Sequence, residues 1–338
     1  MNAPDEVTQV ALVGAGTIGA GWAAHFLAQG LDVIVSDPGP HAEKKLRAQV
    51  DTCWPQLTRL ALAENASRER LRFVTSIEAA VEQADFIQES TPEQEAVKDS
   101  VIAAISHAAK PDVVIASSTS GMVPTRLQTH CRQPQRLIVG HPFNPVYLVP
   151  LVEVVGGEQT APETIEWAMA FYRHWGKTPL HCRTESPGHI ANRLQDAVLT
   201  EAMQLIAEGV ATTDEVDTAL SAGPGIRWAL MGPLLTMHMA AGEGGLSDVL
   251  SGKFGSTYYS HFQGPQLDKL TQQSMVDSLQ RQIAERPLQD LEQIRDEFLV
   301  GVLKQRAAIY AKYGFDSSRF CVSEHPNPVG DKKEDLCN

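Results

Sequence analysis

A β-rich run over residues 7–13 leads directly into Gly14-Ala15-Gly16-Thr17-Ile18-Gly19, and a helical stretch over 18–29 follows at once. Glycines spaced G-x-G-x-x-G occur in many loops. A strand before them and a helix after them make the strongest reading a cradle for the phosphates of a dinucleotide. Gly14 permits the tight turn, Gly16 lets a pyrophosphate approach the backbone, and Gly19 lets the helix pack close to the strand. The first turn of that helix, with Thr17 and Ile18, offers free N–H groups to the phosphates. A second strand, Asp32–Ser36, ends at Asp37, 18 residues after Gly19. A carboxylate there accepts hydrogen bonds from the adenosine ribose and repels a 2′-phosphate, which favours NAD over NADP. A glycine-rich loop in an unrelated turn would not need that acid.

The alternation continues with helical stretches over 42–62, 77–83 and 97–109. Between and after them lie β-rich runs at 71–74, 86–88, 113–116, 137–140 and 151–155. Strands alternating with helices imply an α/β fold, a Rossmann-type, mostly parallel sheet. Thr160-Ala-Pro-Glu163 reads as a capping box opening a helix over 163–175. After Ser186-Pro187-Gly188 the pattern turns helical. A segment over 190–208 is closed by Gly209, and one over 213–221 is opened by the box Thr212-Thr-Asp-Glu215. Two more follow at 265–285 and 288–313. The expected organisation is an NAD-binding domain over 1–187 and an all-helical C-terminal domain over 188–322. An aperiodic tail over 323–338 is expected to be disordered.

A chain of 338 residues suits two domains. Its formal net charge of −13 opposes sequence-independent binding of nucleic acid, which needs Lys and Arg to neutralise phosphates. The five cysteines (Cys53, Cys131, Cys182, Cys321, Cys337) are odd in number and have no C-x-x-C spacing, which fits a reducing compartment. The apolar N-terminus carries no basic residue before Lys44 and is interrupted by Gly14, Gly16, Gly19, Gly21, His25 and Gln29. It reads as neither a secretory signal nor a membrane anchor, so a cytoplasmic protein is expected. No histidine pair has the spacing of a metal site such as H-E-x-x-H, and no metal is expected.

Three segments carry chemistry. Ser117-Ser118-Thr119-Ser120-Gly121 follows a strand, where parallel-sheet enzymes place reactive groups. Gly140-His141-Pro142-Phe143-Asn144-Pro145 follows another, and Glu153 lies 12 residues on in the next β-rich run. A histidine oriented by a carboxylate suits removal of a hydroxyl proton during hydride transfer. The third segment, His189-Ile-Ala-Asn192-Arg193-Leu194, opens the helical half. Each has a plain alternative taken singly: turn chemistry for Ser120, an ordinary core or surface site for His141 and Glu153, a helix cap for Asn192. The other histidines, His189 among them, read as structural.

Taken in order, these segments resemble the 3-hydroxyacyl-CoA dehydrogenase superfamily up to about residue 313. The matching series is the glycine fingerprint, Glu89-x-x-x-Glu93-x-x-x-x-Lys98, Ser-x-Thr-Ser, His-Pro-Phe-Asn-Pro, Leu-Val-Glu-Val-Val, Pro-Gly-x-Ile-x-Asn-Arg-Leu and Met-Gly-Pro. The resemblance implies an NAD-dependent dehydrogenase in which His141 is the base and Glu153 orients it. It also implies that Ser120 and Asn192 bond the substrate hydroxyl and that Glu93 and Lys98 lie on the nicotinamide side. A 6-phosphogluconate-type enzyme would instead need a catalytic Lys in the first helix after Gly188, where this chain has Asn192.

Within the superfamily the hydroxyl-rich and His-Pro-Phe-Asn-Pro segments resemble the carnitine 3-dehydrogenases. Asn192-Arg-Leu-Gln-Asp-Ala-Val and Met231-Gly-Pro-Leu-Leu-Thr-Met-His238 are more similar to the L-gulonate 3-dehydrogenase (lambda-crystallin) branch. The resemblance thus implies a small free 3-hydroxy acid, L-carnitine first and L-gulonate second, with a 3-hydroxyacyl-CoA thioester as a further alternative, and a homodimer. Arg227, in Gly223-Pro-Gly-Ile-Arg227-Trp228, could anchor the carboxylate bidentately or equally form a surface salt bridge. Trp22, Phe143, Tyr147 and Trp228 could line a cation–π pocket for a trimethylammonium group or simply pack.

Overall fold

The computed structural model describes residues 2–60, 62–254, 267–283 and 286–313. The expected tail over 323–338 lies outside the described residues. Eight strands form one sheet: β1 (Gln9–Val13), β2 (Asp32–Ser36), β3 (Leu71–Val74), β4 (Phe86–Glu89), β5 (Val114–Ser117), β6 (Leu137–Pro142), β7 (Leu151–Gly156) and β8 (Thr178–Cys182). Their spatial order is β3-β2-β1-β4-β5-β6-β7-β8. β1 to β6 run parallel, β7 runs antiparallel to β6, and β8 lies parallel to β7. The first six strands have the doubly wound order, in which a ligand lies outside the carboxyl ends where the order reverses, here between β1 and β4.

Six helices accompany the strands: α1 (Thr17–Ala28), α2 (Ala42–Leu60), α3 (Ile77–Val81), α4 (Glu95–Ala108), α5 (Pro124–Gln128) and α6 (Pro162–His174). Central strands covered on both faces read as unbroken apolar runs, and β1 does so. Val10 and Leu12 join one core cluster, while Ala11 and Val13 join the other. Every residue of α1 from Gly19 to Ala28 is buried, as an all-round apolar helix requires. It brings Trp22 and Phe26 into an aromatic cluster with Phe86, Phe171 and Tyr172.

Thr160 does not cap α6. The N-cap is Ala161, with Pro162 at the first helical position. Pro162 has no N–H to satisfy, and the Thr160 hydroxyl is engaged elsewhere: it donates to the Leu137 carbonyl and accepts from Gly157 N and Gln128 Nε2. β8 has no counterpart in the sequence reading. It is a largely exposed edge strand carrying Pro179 and His181, so no apolar run announces it.

The chain divides into two compact units, Met1–Leu199 and Thr200–Asn338. The division falls inside α7 (Ala191–Ala207), whereas the sequence expectation places a boundary at 187. The second unit holds α8 (Thr213–Ala222), α9 (Pro224–Trp228), α10 (Pro233–Ala240), α11 (Gly245–Leu250), α12 (Lys269–Ile283) and α13 (Leu288–Tyr313). The expected box opens α8: Thr212 Oγ1 accepts from Glu215 N, and Glu215 accepts from Thr212 N. Met231, Met239, Ile283 and Leu291 form a small core in this unit. Among the described residues no helix is long and apolar enough to cross a membrane, and no cluster of His, Cys, Asp or Glu is placed to hold a metal ion.

Candidate active site

The glycine junction lies where the strand order reverses. Gly14 N donates to Ser36 O at the end of β2, and Ser90 N donates to Val13 O from the end of β4. Gly14 has φ +104°, and a Cβ there would stand 2.5 Å from the Ser90 carbonyl oxygen. A Cβ on Gly19 would collide with the Gly14 carbonyl, whereas one on Gly16 would meet nothing within 4 Å. Gly16 therefore faces open space at the N-terminus of α1, the arrangement that admits a pyrophosphate. Thr17 and Ile18 stand in that first turn. These residues fit NAD.

Asp37 follows β2. Its Oδ2 accepts from Ala15 N at 2.8 Å and its Oδ1 from Gly39 N at 2.7 Å, and each oxygen keeps a lone pair for a ribose hydroxyl. The carboxylate therefore holds the glycine turn. Asp37→Ala is expected to weaken NAD binding by about 10- to 100-fold and to narrow the preference over NADP. Fluorescence titration with NADH and NADPH checks this, and equal binding of the two by the wild type would remove the role given to Asp37.

His141 and Glu153 stand directly opposite each other on β6 and β7. His141 Nδ1 lies 2.9 Å from Glu153 Oε2. Glu153 is fully buried, and its Oε1 accepts from Ile190 N at 2.8 Å and Ala191 N at 2.9 Å, where α7 begins. Burial alone would raise the Glu153 carboxyl. The bonds from His141, Ala191 and Ile190 outweigh it and hold the group below the ordinary carboxylate range. An ionised Glu153 draws the imidazole proton to Nδ1 and leaves Nε2 as the basic nitrogen. Beside it, burial first and the Glu153 charge second push the Cys182 thiol up to about 11, so it stays protonated.

The hydroxyl-rich loop is fixed from two sides. Thr119 donates through its hydroxyl to Glu93, whose Oε1 also accepts from Gly121 N. Burial raises the Glu93 carboxyl, but the Thr119 hydroxyl and the Lys98 charge hold it below its usual range. Ser120, half-buried, stands between these anchored neighbours. Asn192 is half-buried in the first turn of α7, directly after the two N–H groups that grip Glu153.

Lys98 departs from the expectation of a nicotinamide contact. It is 1% exposed, and its ammonium donates to both oxygens of Glu89 at 2.9 and 3.0 Å and to the Thr91 carbonyl. Glu93 lies 3.6 Å away. Three hydrogens thus have acceptors within the protein, so Lys98 supports the rim through Glu89 and Glu93. Glu89 is fully buried and also accepts from the hydroxyls of Thr91 and Ser117. The sequence reading missed its role, although it is the first acid of the Glu89-x-x-x-Glu93 series.

Two further groups escaped it. Gln88 on β4 donates to Ser118 Oγ at 2.8 Å and to Gly140 O at 3.1 Å, and it accepts from Tyr172 OH at 2.6 Å. It thereby ties the ends of β5 and β6 together. His189 is described below. Trp22 is excluded from any pocket for a trimethylammonium group. It is fully buried and stacked on Phe26, Lys177 Nζ lies 5.1 Å over its ring, and its Nε1 donates to Ser118. Tyr147 is half-buried against the main core, whereas Phe143 lies edge-on to His141 at 5.3 Å. Arg227 and Trp228 are exposed on α9 in the second unit.

Residues 9–186 match the 3-hydroxyacyl-CoA dehydrogenase, NAD binding domain, and residues 188–280 its C-terminal domain. The L-carnitine dehydrogenase of Burkholderia mallei is 47% identical over 312 residues, covering 91% of this chain and 97% of that protein. That of Pseudomonas aeruginosa is 46% identical, covering 93% and 99%. Among solved structures, a 5-formyl-3-hydroxy-2-methylpyridine 4-carboxylic acid 5-dehydrogenase is 28% identical with a TM-score of 0.68, covering 86% of this chain and 99% of that one. The (S)-3-hydroxybutyryl-CoA dehydrogenase of Ralstonia eutropha is also 28% identical, with a TM-score of 0.60 and coverage of 81% and 94%. With both domains matched in order behind an NAD cradle and a His–Glu pair, the chain belongs to the 3-hydroxyacyl-CoA dehydrogenase family, as an NAD-dependent oxidoreductase.

Proposed function

We propose that this protein oxidises the 3-hydroxyl of L-carnitine to 3-dehydrocarnitine. The observation that carries the reading is the His141–Glu153 pair at the sheet ends, in a chain 46–47% identical over about nine tenths of its length to L-carnitine dehydrogenases. His141 Nε2 takes the hydroxyl proton, and ionised Glu153 stabilises the imidazolium that forms. Ser120 and Asn192 orient the hydroxyl. Gly14, Gly16, Thr17, Ile18, Gly19 and Asp37 would hold NAD, which would supply the acceptor for the C3 hydride. Glu93 borders the nicotinamide side, with Lys98 behind it.

Arg227 is the proposed anchor for the free carboxylate, with Trp228 beside it in sequence; a planar guanidinium suits that task. The test is reduction of NAD at alkaline pH with L-carnitine, L-gulonate, 3-hydroxybutyrate and 3-hydroxybutyryl-CoA. L-carnitine is expected to give the highest kcat/KM, and a preference for the thioester would overturn the reading. Arg227→Met should raise KM for the free acid by at least about 30-fold and leave the thioester's little changed. We also place the protein in the cytoplasm as a homodimer. The buried free thiols Cys53, Cys131 and Cys182 support the first, and the exposed Leu194, Leu199 and Met203 along α7 support the second.

A further inference from the structure

His189 is a buried polar group that the mechanism above does not use. It is 3% exposed and has φ +50°, a left-handed conformation that costs energy in any residue with a side chain. That conformation follows Gly188, at φ +74°, and immediately precedes the N–H groups of Ile190 and Ala191 that grip Glu153. Its ring lies 5.2 Å from the ring of His141, inclined by 49°. Its Nε2 is 3.3 Å from the Thr119 carbonyl, 70 residues away in sequence. A carbonyl only accepts, so Nε2 carries the hydrogen. Nδ1 is buried and, among the described residues, has no hydrogen-bond partner.

A buried nitrogen without a partner destabilises the fold, and an apolar ring of the same size would avoid that cost. Packing alone therefore does not account for an imidazole here. The bond to Thr119 does, because Thr119 adjoins Ser120, and His189 is three residues before Asn192. One ring thus joins the loop bearing one hydroxyl-orienting group to the turn bearing the other, beside the base. Burial, followed by the nearby His141, lowers the basicity of His189, while the Thr119 carbonyl and the Glu153 and Glu93 charges oppose this. The net effect favours the neutral ring, which adds no charge next to His141 as it takes up the substrate proton.

We propose that His189 is a positioning residue of this dehydrogenase. As the neutral Nε2–H tautomer, it holds the Thr119 carbonyl and so sets where Ser120 meets the substrate hydroxyl relative to His141. This rests on the proposed reaction. The test compares wild type, His189→Phe and His189→Gln by kcat and KM for the preferred hydroxy acid, NADH affinity and Tm. His189→Phe keeps the shape and removes both nitrogens. It should lower kcat by about 10- to 100-fold, the cost of a misplaced reacting group, while KM and NADH affinity change little. Its Tm should change little, because removing the unpartnered Nδ1 offsets leaving the Thr119 carbonyl without its donor; a loss of kcat at unchanged Tm is a combination that a merely structural role would not give. His189→Gln can still donate to Thr119 and should recover most of kcat.

A Phe variant with wild-type kcat overturns the proposal, as does a Gln variant no more active than Phe. Should Phe fail to fold, Gln alone decides: kcat within about fivefold of wild type upholds the role and a larger loss overturns it. Failure of the wild type on every 3-hydroxy acid would instead overturn the proposed reaction, and the two failures are therefore distinct.

Discussion

Glu153→Gln is expected to lower kcat by about 10³–10⁴-fold at neutral pH, far more than the loss of one hydrogen bond would cost. Glu153 Oε1 accepts two backbone N–H groups, from Ile190 and Ala191. A glutamine must place its carbonyl oxygen there, because its amide hydrogens would face other hydrogens. Its NH2 group is then forced toward His141 Nδ1, which must accept. The imidazole proton moves to Nε2, and the nitrogen proposed to receive the substrate proton is already protonated. The substitution keeps the shape of the pair and reverses the tautomer. Steady-state kinetics over pH, with NADH affinity as the control, reads this. A loss of less than about tenfold would mean that Glu153 does not set the tautomer of His141.

The expectation of a His141–Glu153 pair came from order along the chain, and the structure supplies its reason. Sequence spacing puts the two residues on consecutive β-rich runs but does not give their direction. Because β7 runs antiparallel to β6, with His141 and Glu153 in register, a separation of 12 residues becomes a contact of 2.9 Å. The glycine turn was legible because its physics is local. Gly14, Gly16 and Gly19 act on backbone within a few residues, and Asp37 closes the same unit.

What was hidden depends on partners distant in sequence. His189 reads as an ordinary histidine until Thr119 arrives from 70 residues away. Gln88 has no periodicity that marks it, and its meaning appears only when Tyr172 and Gly140 reach it across the sheet. Lys98 shows the opposite error. A lysine in a motif is read as facing a ligand, yet burial next to Glu89 turned it inward. Trp22 failed as a pocket residue for a related reason, since α1 is covered all round and keeps its aromatic side chains in the core.

His141→Gln removes the proposed base and is expected to cost about 10²–10⁴-fold in kcat, the range of a lost general base. NADH affinity should not change, because the cradle is built on β1, α1 and β2 and has no bond to His141. Most informative is the double variant, His141→Gln with Glu153→Gln. If Glu153 acts on the reaction only through the imidazole, then once the imidazole is gone its charge has nothing left to orient. The double variant should then be no slower than the slower single variant, as for groups that act as a unit. Losses that multiply would require Glu153 to reach the reaction by another route. One such route among the described residues is its grip on Ile190 and Ala191, which leads through α7 to Asn192. Comparing the two single variants with the double therefore distinguishes a carboxylate that sets a tautomer from one that holds a helix in place.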